Sequence, residues 1–432
     1  MQKRRSLPKE NVMRMSGIRS MRPRGTLITA IDVGTSKLCC LIARIEEDGR
    51  PKVIGIGHHV SRGVRNGAII NLEHAGEAIG RAVQAAEDMA GETVRTVVVN
   101  LSGEHLHSHS LSVRINLGDK PVSDADLTEA FGKCGEVAMA GETEVIHAVP
   151  IRYTLDHQKG IRDPRGMFGH RLGVDLHVVT AAVTAMKTLT TGLEHIHLGL
   201  EMPISAAYAS GLSVLVEDEA ELGCTVIDMG AGTTTIAVFN DGELIHTDCL
   251  PVGGTHVTND IARGLTTSIV HAERMKTLQA SAIPSSTDDH EEIEVPQIGE
   301  DDPGATTRVP RSLLVGIVRP RIEETFELVR QRLEYSGYDK YVGRRVVLTG
   351  GACQIGGARE IAQRILEKQV RIGRPVGIDG LAEMTQGPAF AVACGLLKYA
   401  MHSHTDIPRL IAQNGRSHGV FSRIGNWLME NF

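Results

Sequence analysis

Apolar and polar positions alternate in short blocks along the chain, and two of these blocks follow the same plan. Residues 27–45 read LITAIDVGTSKLCCLIARI, which is an apolar stretch, a small polar turn and a second apolar stretch. Residues 226–239 read VIDMGAGTTTIAVF and repeat that order in the second half of the chain. Apolar runs of this length that flank turn residues are typical of buried strands. The pattern therefore predicts two similar hairpins, one in each half of the protein.

The remaining blocks predict further strands and amphipathic helices. The strands are predicted at 52–58, 96–101, 144–153, 172–180, 242–249, 312–318 and 345–348. The helices are predicted at 72–90, 123–140, 185–198, 255–265, 323–335, 358–368 and 388–399. Such alternation is typical of α/β proteins, in which helices cover the faces of a sheet.

Size and composition restrict the class of protein. A chain of 432 residues with 41% hydrophobic and 3% aromatic residues is long enough for two lobes, each with its own core. No apolar run approaches the roughly 20 residues that a transmembrane helix requires, and the first residues lack the apolar core of a secretory signal. The seven cysteines contain no Cys-x-x-Cys pair, which favours a reducing cytoplasm and argues against structural zinc. The net charge of -6 argues against a general nucleic-acid-binding protein.

Charge is unevenly distributed along the chain. Residues 1–24 contain eight Lys or Arg against a single acid, Glu10. We expect this basic arm to be disordered; it either contacts anionic lipid or a partner, or is a solvated tail without a role of its own. Residues 285–307 are acidic, contain Pro and Gly, and lack Lys and Arg. This second segment is predicted to be a flexible surface loop inside a domain.

The turns of the two hairpins carry candidate phosphate-binding chemistry. Glycine permits positive φ and lets backbone amides approach a ligand closely, and consecutive N–H groups form an anion-binding nest. Asp32 and Asp228 lie at the strand ends before the turns, where a carboxylate can hold a hydrated divalent cation against phosphates. One such hairpin would be an ordinary turn, but two of them predict a phosphate clamp. A third turn follows the strand at 345–348, and there Gly350 and Gly351 leave bare backbone for a base or a sugar.

The order phosphate, phosphate, nucleoside resembles that of the actin-like ATPase superfamily, and within it the match narrows to the FtsA family of bacterial cell division proteins. The stretches that carry the resemblance are IDVGTSK, SRGVRNGAIINLE, NLSGEHL, HAVPIRYTLD, ELGCTVIDMGAGTTTIAVF, VVLTGGACQIGG and QVRIGRPVGIDGL. They extend over nearly the whole chain from Leu27 to Ala400. The resemblance implies an α/β, actin-like two-lobed ATPase fold with a strand-helix-strand-strand insert and a C-terminal amphipathic helix.

The resemblance also implies how the chain is divided. The segments are a basic disordered arm (1–25), the first part of lobe one (26–94), the insert subdomain (95–180), the second part of lobe one (181–215), lobe two (216–400), a linker (401–418) and a membrane-binding amphipathic helix (419–432). Lobe two is expected to contain an outer subdomain at 255–340, which carries the acidic loop at 285–307.

ATP and Mg²⁺ are the cofactors that the resemblance implies. Asp32 and Asp228 would contact the magnesium ion through water. The residues expected at the phosphates are Gly34, Thr35, Ser36, Lys37, Gly230, Gly232, Thr233 and Thr234. The residues expected at the nucleoside are Glu273, Lys276, Gly350, Gly351 and Ala352. For Glu273 and Lys276 the alternative is an exposed i,i+3 ion pair worth a few tenths of a kcal/mol.

A general base for hydrolysis is not evident. In related proteins this group comes from the segment around 202–208, and here no Gln, Asp or Glu occurs between Pro203 and Leu215. Glu201 is the nearest candidate. We therefore expect slow or absent ATP hydrolysis, because ordering the attacking water contributes much of the rate. The same lack of a base disfavours the alternative function, a sugar or carboxylate kinase, and a chaperone is disfavoured because no peptide-binding domain follows Tyr399.

The resemblance implies contacts with other division proteins. The insert is expected to act in self-association, which builds filaments, and in binding later division proteins. Arg321 resembles the basic residue that binds the acidic C-terminal peptide of FtsZ, and its alternative is a surface arginine beside a helix. His105, His107 and His109 alternate along the chain and would share one face if the strand predicted at 96–101 continued, and a polar edge is favoured there over a metal site.

Residues 419–432, GVFSRIGNWLMENF, contain the only tryptophan of the chain. One face of a helical wheel collects the apolar residues Val420, Phe421, Ile424, Trp427, Leu428 and Phe432. A helix of this length cannot span a bilayer but can lie in its interface, so contact with anionic membrane lipid is expected. The alternative is docking into a groove on its own body or on another protein. The expected function is that of an ATP-binding polymer that tethers FtsZ filaments to the cytoplasmic face of the inner membrane at the septum.

Overall fold

Two five-stranded sheets with the same topology form the centres of two lobes. The computed structural model describes residues 19–138, 142–298, 306–340 and 342–404. The predicted amphipathic helix at 419–432, with all residues assigned to the membrane, lies outside these ranges. None of the helices within the described ranges is both long and apolar enough to cross a membrane.

The elements are numbered along the chain. The strands are β1 (Arg19–Met21), β2 (Leu27–Val33), β3 (Lys37–Ile45), β4 (Pro51–Val60), β5 (Val64–Arg65), β6 (Ala68–Ile69), β7 (Thr96–Leu101), β8 (Leu106–Asn116), β9 (Thr143–Leu155), β10 (Gln158–Ile161), β11 (Arg171–Ala182), β12 (Gly199–Ser205), β13 (Cys224–Met229), β14 (Thr234–Asn240), β15 (Glu243–Leu250), β16 (Glu292–Pro296), β17 (Thr306–Pro310), β18 (Arg345–Thr349), β19 (Gln369–Ile372) and β20 (His402–His404). The helices are α1 (Leu72–Ala90), α2 (Asp124–Ala138), α3 (Val183–Glu194), α4 (Ala206–Val214), α5 (Glu217–Glu221), α6 (Gly254–Gly264), α7 (Ile269–Leu278), α8 (Arg311–Ser336), α9 (Ala358–Leu366) and α10 (Ala391–Ala400).

Each sheet combines three antiparallel strands with two parallel ones. The order in lobe one is β12-β7-β2-β3-β4, and the order in lobe two is β15-β14-β13-β18-β19. Short turns join the antiparallel strands, whereas each parallel strand follows a connection that contains a helix, as parallel pairing requires. The two predicted hairpins, β2–β3 and β13–β14, therefore occupy equivalent places in the two lobes.

Helices α4 and α10 lie between the two sheets and join the lobes. Helix α10 packs on β2, β3 and β7, helix α4 packs on β13, β14 and β15, and the two helices pack on each other. Gly395 permits their close approach, because a β-carbon there would lie 1.7 Å from the carbonyl oxygen of Ala209. One apolar core therefore runs from Leu41 in lobe one to Phe239 in lobe two.

The insert begins later in the chain than predicted. The strand predicted at 96–101 was assigned to the insert, but it is β7, which pairs in parallel with β2 inside the sheet of lobe one. Val97, Val98 and Val99 are fully buried, as expected of a central parallel strand. The sheet of the insert has the order β10-β9-β11-β8 and packs on α2, so β8 is its first strand and the short β10 is an addition to the predicted order.

A single helix, α8, replaces the strand predicted at 312–318 and the helix predicted at 323–335. Pro320 lies between these two predicted elements, and proline lacks the N–H that a helix interior requires. The buried residues of α8 recur every three or four positions and are Leu314, Val315, Val318, Ile322, Thr325, Phe326, Val329 and Leu333. Burial of this stripe in the core of lobe two outweighs the local cost of the proline.

The acidic segment is more ordered than its composition predicted. Strands β16 and β17 pair as an antiparallel hairpin on either side of residues 299–305, which lie outside the described ranges. Asp288 is 2% exposed, and the Arg311 guanidinium donates a hydrogen bond to its carboxylate at 2.6 Å. This charge-assisted contact stabilises the start of the segment through an arginine that lies beyond it in the sequence.

The end of the basic arm also contains structure. Strand β1 pairs antiparallel with β20, so residues 19–21, predicted to be disordered, form a ribbon with residues 402–404 of the predicted linker. The N–H of Arg22 donates to the carbonyl of Met401 at 3.0 Å, and the Arg22 guanidinium pairs with Glu201 on β12. The ribbon is therefore fixed to lobe one, while residues 1–18 lie outside the described ranges.

Candidate functional site

The tips of the two hairpins face each other across a cavity of about 530 Å³ between the lobes. The first tip, residues 34–36, joins β2 to β3, and the second tip, residues 230–233, joins β13 to β14. The tips approach so closely that a β-carbon on Gly232 would lie 2.4 Å from Thr35 Oγ1. Glycine at this position therefore lets the two lobes meet at the cavity.

Backbone hydrogen bonds fix the shape of each tip. The N–H of Gly34 donates to the carbonyl of Lys37 at 3.2 Å, and the N–H of Gly230 donates to the carbonyl of Thr233 at 2.8 Å. The start of α6 holds the second tip as well, since the N–H of Gly254 donates to the Gly230 carbonyl at 2.9 Å. Both tips are thus preformed on rigid strands, with their backbones on the cavity wall.

Each lobe contributes one buried carboxylate to the cavity, Asp32 from β2 and Asp228 from β13. Burial raises the pKa of Asp32 to about 6, against the opposing charge of Lys37. Burial, followed by repulsion from Asp32, raises the pKa of Asp228 to about 7, again against the charge of Lys37. Two desolvated carboxylates that repel each other form a site that a bound cation would stabilise.

Asn100, near the end of β7, orients the first carboxylate. Its Oδ1 accepts the N–H of Val33 at 2.6 Å, and its Nδ2 donates to Asp32 Oδ1 at 2.9 Å. Because the backbone N–H of Val33 can only donate, the side-chain oxygen of Asn100 must face it. The side-chain NH₂ group of Asn100 then faces Asp32. A hydrogen-bond donor at this point favours the ionised form of Asp32.

Lys37 extends from the first hairpin to the turn before α10. Its Nζ donates to the carbonyl of Ala389 at 3.0 Å and lies 3.3 Å from the centre of the Phe390 ring. A cation over the face of an aromatic ring is attracted electrostatically. These contacts hold a positive charge beside the two carboxylates.

Helix α7 and the glycine turn after β18 line another part of the cavity. The Lys276 Nζ donates to Glu273 Oε2 at 2.7 Å and to Thr258 Oγ1 at 3.0 Å. The i,i+3 ion pair of the alternative is therefore present, with the Lys276 side chain 12% exposed and the Glu273 side chain 49% exposed. Gly350 has a φ of +87°, and a β-carbon on it would lie 2.2 Å from Asp228 Oδ1. The turn after β18 therefore lies directly against the second carboxylate.

The cavity is lined by every predicted cofactor-binding residue except Thr234. The Thr234 side chain is fully buried, and its Oγ1 donates to the carbonyl of Val252 at 2.7 Å. Successive side chains of a strand face opposite sides, so the next residue, Thr235, faces the cavity instead. The Thr235 Oγ1 is buried without a hydrogen-bond partner. A polar atom of this kind is a candidate for ligand contact.

The polar cavity residues that sequence reasoning missed include Asn100, Ser102 and Thr235. Thr235 could have been found from the hairpin register, because it lies directly opposite Asp228 in the β13–β14 pair. The other two lie at the end of β7 and just after it, in the strand that was assigned to the insert. Their place follows from β7 being the parallel neighbour of β2, since the carboxyl ends of parallel strands meet at one edge of the sheet.

The remaining candidates lie away from this cavity. Glu201 is not one of its lining residues, because it pairs with Arg22 beside the ribbon. The Arg321 Nε donates to Asp260 Oδ2 at 2.6 Å, and this hydrogen bond raises the pKa of the guanidinium. In the part of the chain that the structure describes, no group of three or more His, Cys, Asp or Glu side chains is arranged to hold a metal ion, and this includes the histidines of β8.

Comparison with known proteins relates the chain to cell division proteins. A family model described as cell division protein FtsA matches residues 225–395, and one described as the SHS2 domain inserted in FtsA matches residues 103–180. The cell division protein FtsA of Rhizobium meliloti (strain 1021) is 44% identical over 95% of this chain and 96% of its own length. That of Escherichia coli (strain K12) is 33% identical over 94% of this chain and 98% of its own length.

Solved structures share the fold at low sequence identity. A chain of a PilM-PilN type IV pilus biogenesis complex has a TM-score of 0.62 and 18% identity, covering 88% of this chain and 99% of its own. MreB5 of Spiroplasma citri bound to ADP has a TM-score of 0.51 and 13% identity, covering 87% of this chain and 97% of its own. The same protein bound to AMPPNP also has a TM-score of 0.51, at 14% identity, with coverage of 87% and 96%.

Proposed function

This chain belongs to the FtsA family of cell division proteins and has the actin-like ATPase fold, and we propose that it binds ATP and Mg²⁺ between its two lobes. We propose further that it polymerises at the cytoplasmic face of the inner membrane. There it tethers FtsZ filaments and helps to assemble the septal ring. Membership of this family argues against the alternative function, a sugar or carboxylate kinase.

The pair of preformed hairpin tips, one from each lobe, carries the nucleotide proposal. Backbone amides and the hydroxyls of Thr35, Ser36 and Thr233 line the space between the two tips, as a polyphosphate requires. The Lys276–Glu273 pair and the turn at 350–352 line the same cavity and are suited to a ribose and a base. The MreB5 structures with ADP and AMPPNP support this assignment, because they show that the fold accommodates adenine nucleotides.

The donor set in the cavity suits a hydrated magnesium ion. Asp32 and Asp228 offer carboxylate oxygens, which are ligands that Mg²⁺ prefers, and a divalent cation would relieve the repulsion between them. The unpartnered Thr235 Oγ1 adds an oxygen on the strand opposite Asp228. A bound Mg²⁺ would neutralise phosphate charge. Asp32 and Asp228 would hold it through water, and Asn100 keeps Asp32 in position.

Hydrolysis is expected to be slow. The carboxylates on the cavity wall are Asp32, Asp228 and Glu273, and the last of these accepts hydrogen bonds from Lys276 and Thr258. The segment around 202–208, the expected source of a base, contains no Gln, Asp or Glu, and Glu201 just before it is paired with Arg22. A steady turnover of about 1 per second or faster, which is typical of phosphoryl-transfer enzymes, would contradict this expectation.

Arg321 is the proposed contact for the acidic C-terminal peptide of FtsZ. Its guanidinium already donates to both carboxylate oxygens of Asp260, at 2.6 Å and 3.2 Å, and also pairs with Glu324. An incoming carboxylate therefore has to share or displace these acids. We accordingly expect weak, salt-sensitive binding of one FtsZ peptide to one subunit.

Membrane tethering is proposed for the segment 419–432, which lies outside the described residues. Its six apolar side chains, partly withdrawn from water, would contribute a few kcal/mol at ~25 cal/mol per Å². A single tail therefore binds reversibly, whereas a polymer that presents many tails binds firmly through effective concentration. Tethering should thus depend on ATP-linked assembly.

Co-sedimentation with lipid vesicles tests the proposed tethering. The full-length protein should pellet with vesicles, more strongly with ATP than without it, and should carry FtsZ into the pellet. A variant that lacks residues 420–432 should remain in the supernatant while it still binds ATP. Unchanged pelleting of this truncated variant would overturn the membrane part of the proposal.

A further inference from the structure

Strand β9 of the insert packs against both lobes. Its pairing with β11 shifts register twice, so that Ile146 and Ile151 have no partner residue on β11. Such bulges turn the side chains of a strand out of strict alternation. Ile146 packs in the core of lobe one, Val149 in the core that joins the lobes, and Ile151 against the core of lobe two. One strand therefore fixes the insert to both lobes.

His147, next to the first bulge, is buried where β9 meets helices α4 and α10. It is 1% exposed, and its ring makes edge-to-face contacts with the rings of Tyr208 on α4 and Tyr399 on α10, each at 5.2 Å between ring centres. Its Nε2 accepts the backbone N–H of Ser205 at 2.8 Å, and its Nδ1 lies 3.1 Å from the Tyr399 hydroxyl oxygen. One imidazole of the insert thus contacts both helices that lie between the lobes.

These two hydrogen bonds determine which ring nitrogen of His147 carries the proton. Because the backbone N–H of Ser205 can only donate, Nε2 must be the unprotonated nitrogen. Nδ1 of the neutral ring then carries the proton and donates it to the Tyr399 hydroxyl oxygen. The other tautomer would place two donors against each other at Ser205. The position of Ser205 therefore depends on a neutral imidazole in a single tautomer.

Ser205 leads directly into the wall of the cavity. It is the last residue of β12, and the next residue, Ala206, begins α4 and lines the cavity. Strand β12 is the parallel neighbour of β7, which is the parallel neighbour of β2, so the carboxyl ends of all three strands meet at one edge of the sheet. That edge carries Asp32 and Asn100, whereas the residues assigned to the nucleoside belong to lobe two. The start of α4 therefore lies on the phosphate side of the cavity.

We propose that His147 is a positioning residue, which holds the start of α4 at the phosphate side of the cavity and so makes the preference for ATP over ADP depend on the insert. This role rests on the nucleotide binding proposed above. Coupling between two sites is reciprocal, so a nucleotide that favours one placement of α4 also favours one placement of the insert. A protein that binds the insert would therefore bind the ATP and ADP forms with different affinity.

Titration calorimetry of the full-length protein with Mg²⁺-ATP and with Mg²⁺-ADP tests this role. His147→Leu removes both hydrogen bonds and leaves the N–H of Ser205, a residue that is 1% exposed, without its partner. The affinity for Mg²⁺-ATP should fall about tenfold, which is the usual effect of one buried donor that loses its acceptor. Because ADP lacks the terminal phosphate, its affinity should change by less than about threefold.

Two matched variants separate positioning from a general loss of structure. In His147→Gln the side-chain oxygen can accept the Ser205 N–H in place of Nε2, so the affinity for Mg²⁺-ATP should return to within about threefold of the original value. His157→Leu, at an exposed position of the same insert, should bind both nucleotides as the original protein does. Equal losses for ATP and ADP in H147L, with no recovery in H147Q, would show a purely structural role and overturn the proposal.

Hydrogen exchange of the Ser205 amide tests the contact without nucleotide. The N–H is buried and donates to His147, so its exchange should be at least about tenfold faster in H147L than in the original protein and slow again in H147Q. An unchanged exchange rate in H147L would overturn the proposal.

Tyr399→Phe keeps the proposal testable if H147L does not fold. It retains the imidazole and removes the hydroxyl that accepts from Nδ1, so the tautomer is no longer fixed. The affinity for Mg²⁺-ATP should fall about threefold, with the affinity for Mg²⁺-ADP unchanged. An unchanged ratio of the two affinities in Y399F would overturn the proposal.

The same titrations separate the role of His147 from the function on which it rests. If the proposed nucleotide binding fails, the original protein binds neither nucleotide. If only the role of His147 fails, the original protein binds Mg²⁺-ATP, and H147L and Y399F discriminate it from Mg²⁺-ADP as the original protein does.

Discussion

At the scale of single residues, the cavity depends on two carboxyl groups whose pKa values are raised by burial. The pKa of Asp32 is raised from 3.8 to about 6, and that of Asp228 is raised from 3.8 to about 7. Each group is more easily protonated in the folded protein than in the unfolded chain. Their ionisation therefore opposes folding, and a bound cation would reverse that cost.

The free energy of unfolding of the nucleotide-free protein should carry this signature. The stability that these two groups contribute is fully present below pH about 4 and is lost as the pH rises through about 6 to 7. Between pH about 4 and about 7 the folded state binds more protons than the unfolded chain, so raising the pH favours unfolding. Urea unfolding at a series of pH values measures the effect. The control D32N/D228N should be less sensitive to pH between 4 and 7. An identical pH dependence in the two proteins would contradict the assignment.

Asn100→Ala tests the residue that positions Asp32. The change removes the donor to Asp32 and leaves the buried N–H of Val33 without its partner, which costs about 1–3 kcal/mol of stability. The affinity for Mg²⁺-ATP should fall about tenfold, and the pH at which binding is half-lost should rise, because the ionised carboxylate is less favoured. Ser102→Ala, which alters the same cavity wall, is the matched control. An unchanged pH profile would show that Asn100 is not a positioning residue.

Thr234 and Thr235 show what residue types alone can predict about the cavity. Composition placed threonines at the second turn correctly, but only the pairing of Thr235 with Asp228 decides which hydroxyl faces the cavity. A one-residue difference changes the face of a strand, and no local propensity distinguishes the two.

At the scale of elements, the sequence predicts those whose burial pattern is local. Helix α1 and both hairpins have the predicted positions, because their apolar spacing and caps lie within the segment itself. The prediction for the region of α8 and the assignment of β7 to the insert were wrong for the opposite reason. Helix α8 continues past Pro320 because its long stripe of apolar residues is buried. Strand β7 belongs to lobe one because it pairs with β2. Both depend on contacts with distant parts of the chain.

The packing of α10 on α4 gives a test at this scale. Gly395→Ala should destabilise the protein by about 2 kcal/mol or more, because the new β-carbon would lie 1.7 Å from the Ala209 carbonyl oxygen. Gly316→Ala, inside α8 with no atom within 4 Å of the added carbon, should be neutral or stabilising by up to about 1 kcal/mol. Urea unfolding of both variants measures the difference. Equal effects at the two glycines would contradict the close contact of the helices.

At the scale of the whole molecule, two copies of one sheet plan bring their turns to a single cavity. The hairpins and the turn after β18 were predicted from the sequence, because glycines and aspartates at strand ends are a local signal. The ribbon between β1 and β20 was not, since it joins residues about 380 positions apart in the chain through backbone pairing alone. Helix α10 connects these features: Val392 near its start lines the cavity, and Met401 after its end contacts the ribbon.

The central claim is that both lobes hold one nucleotide, and titration calorimetry with Mg²⁺-ATP tests it most directly. The full-length protein should bind one equivalent, and Asp32→Ala and Asp228→Ala should each weaken binding at least about tenfold, a loss of about 1.4 kcal/mol. Asp48→Ala, at an exposed position outside the cavity, should bind as the original protein does. The account is contradicted if the original protein shows no affinity for Mg²⁺-ATP, or if either cavity variant binds it unchanged.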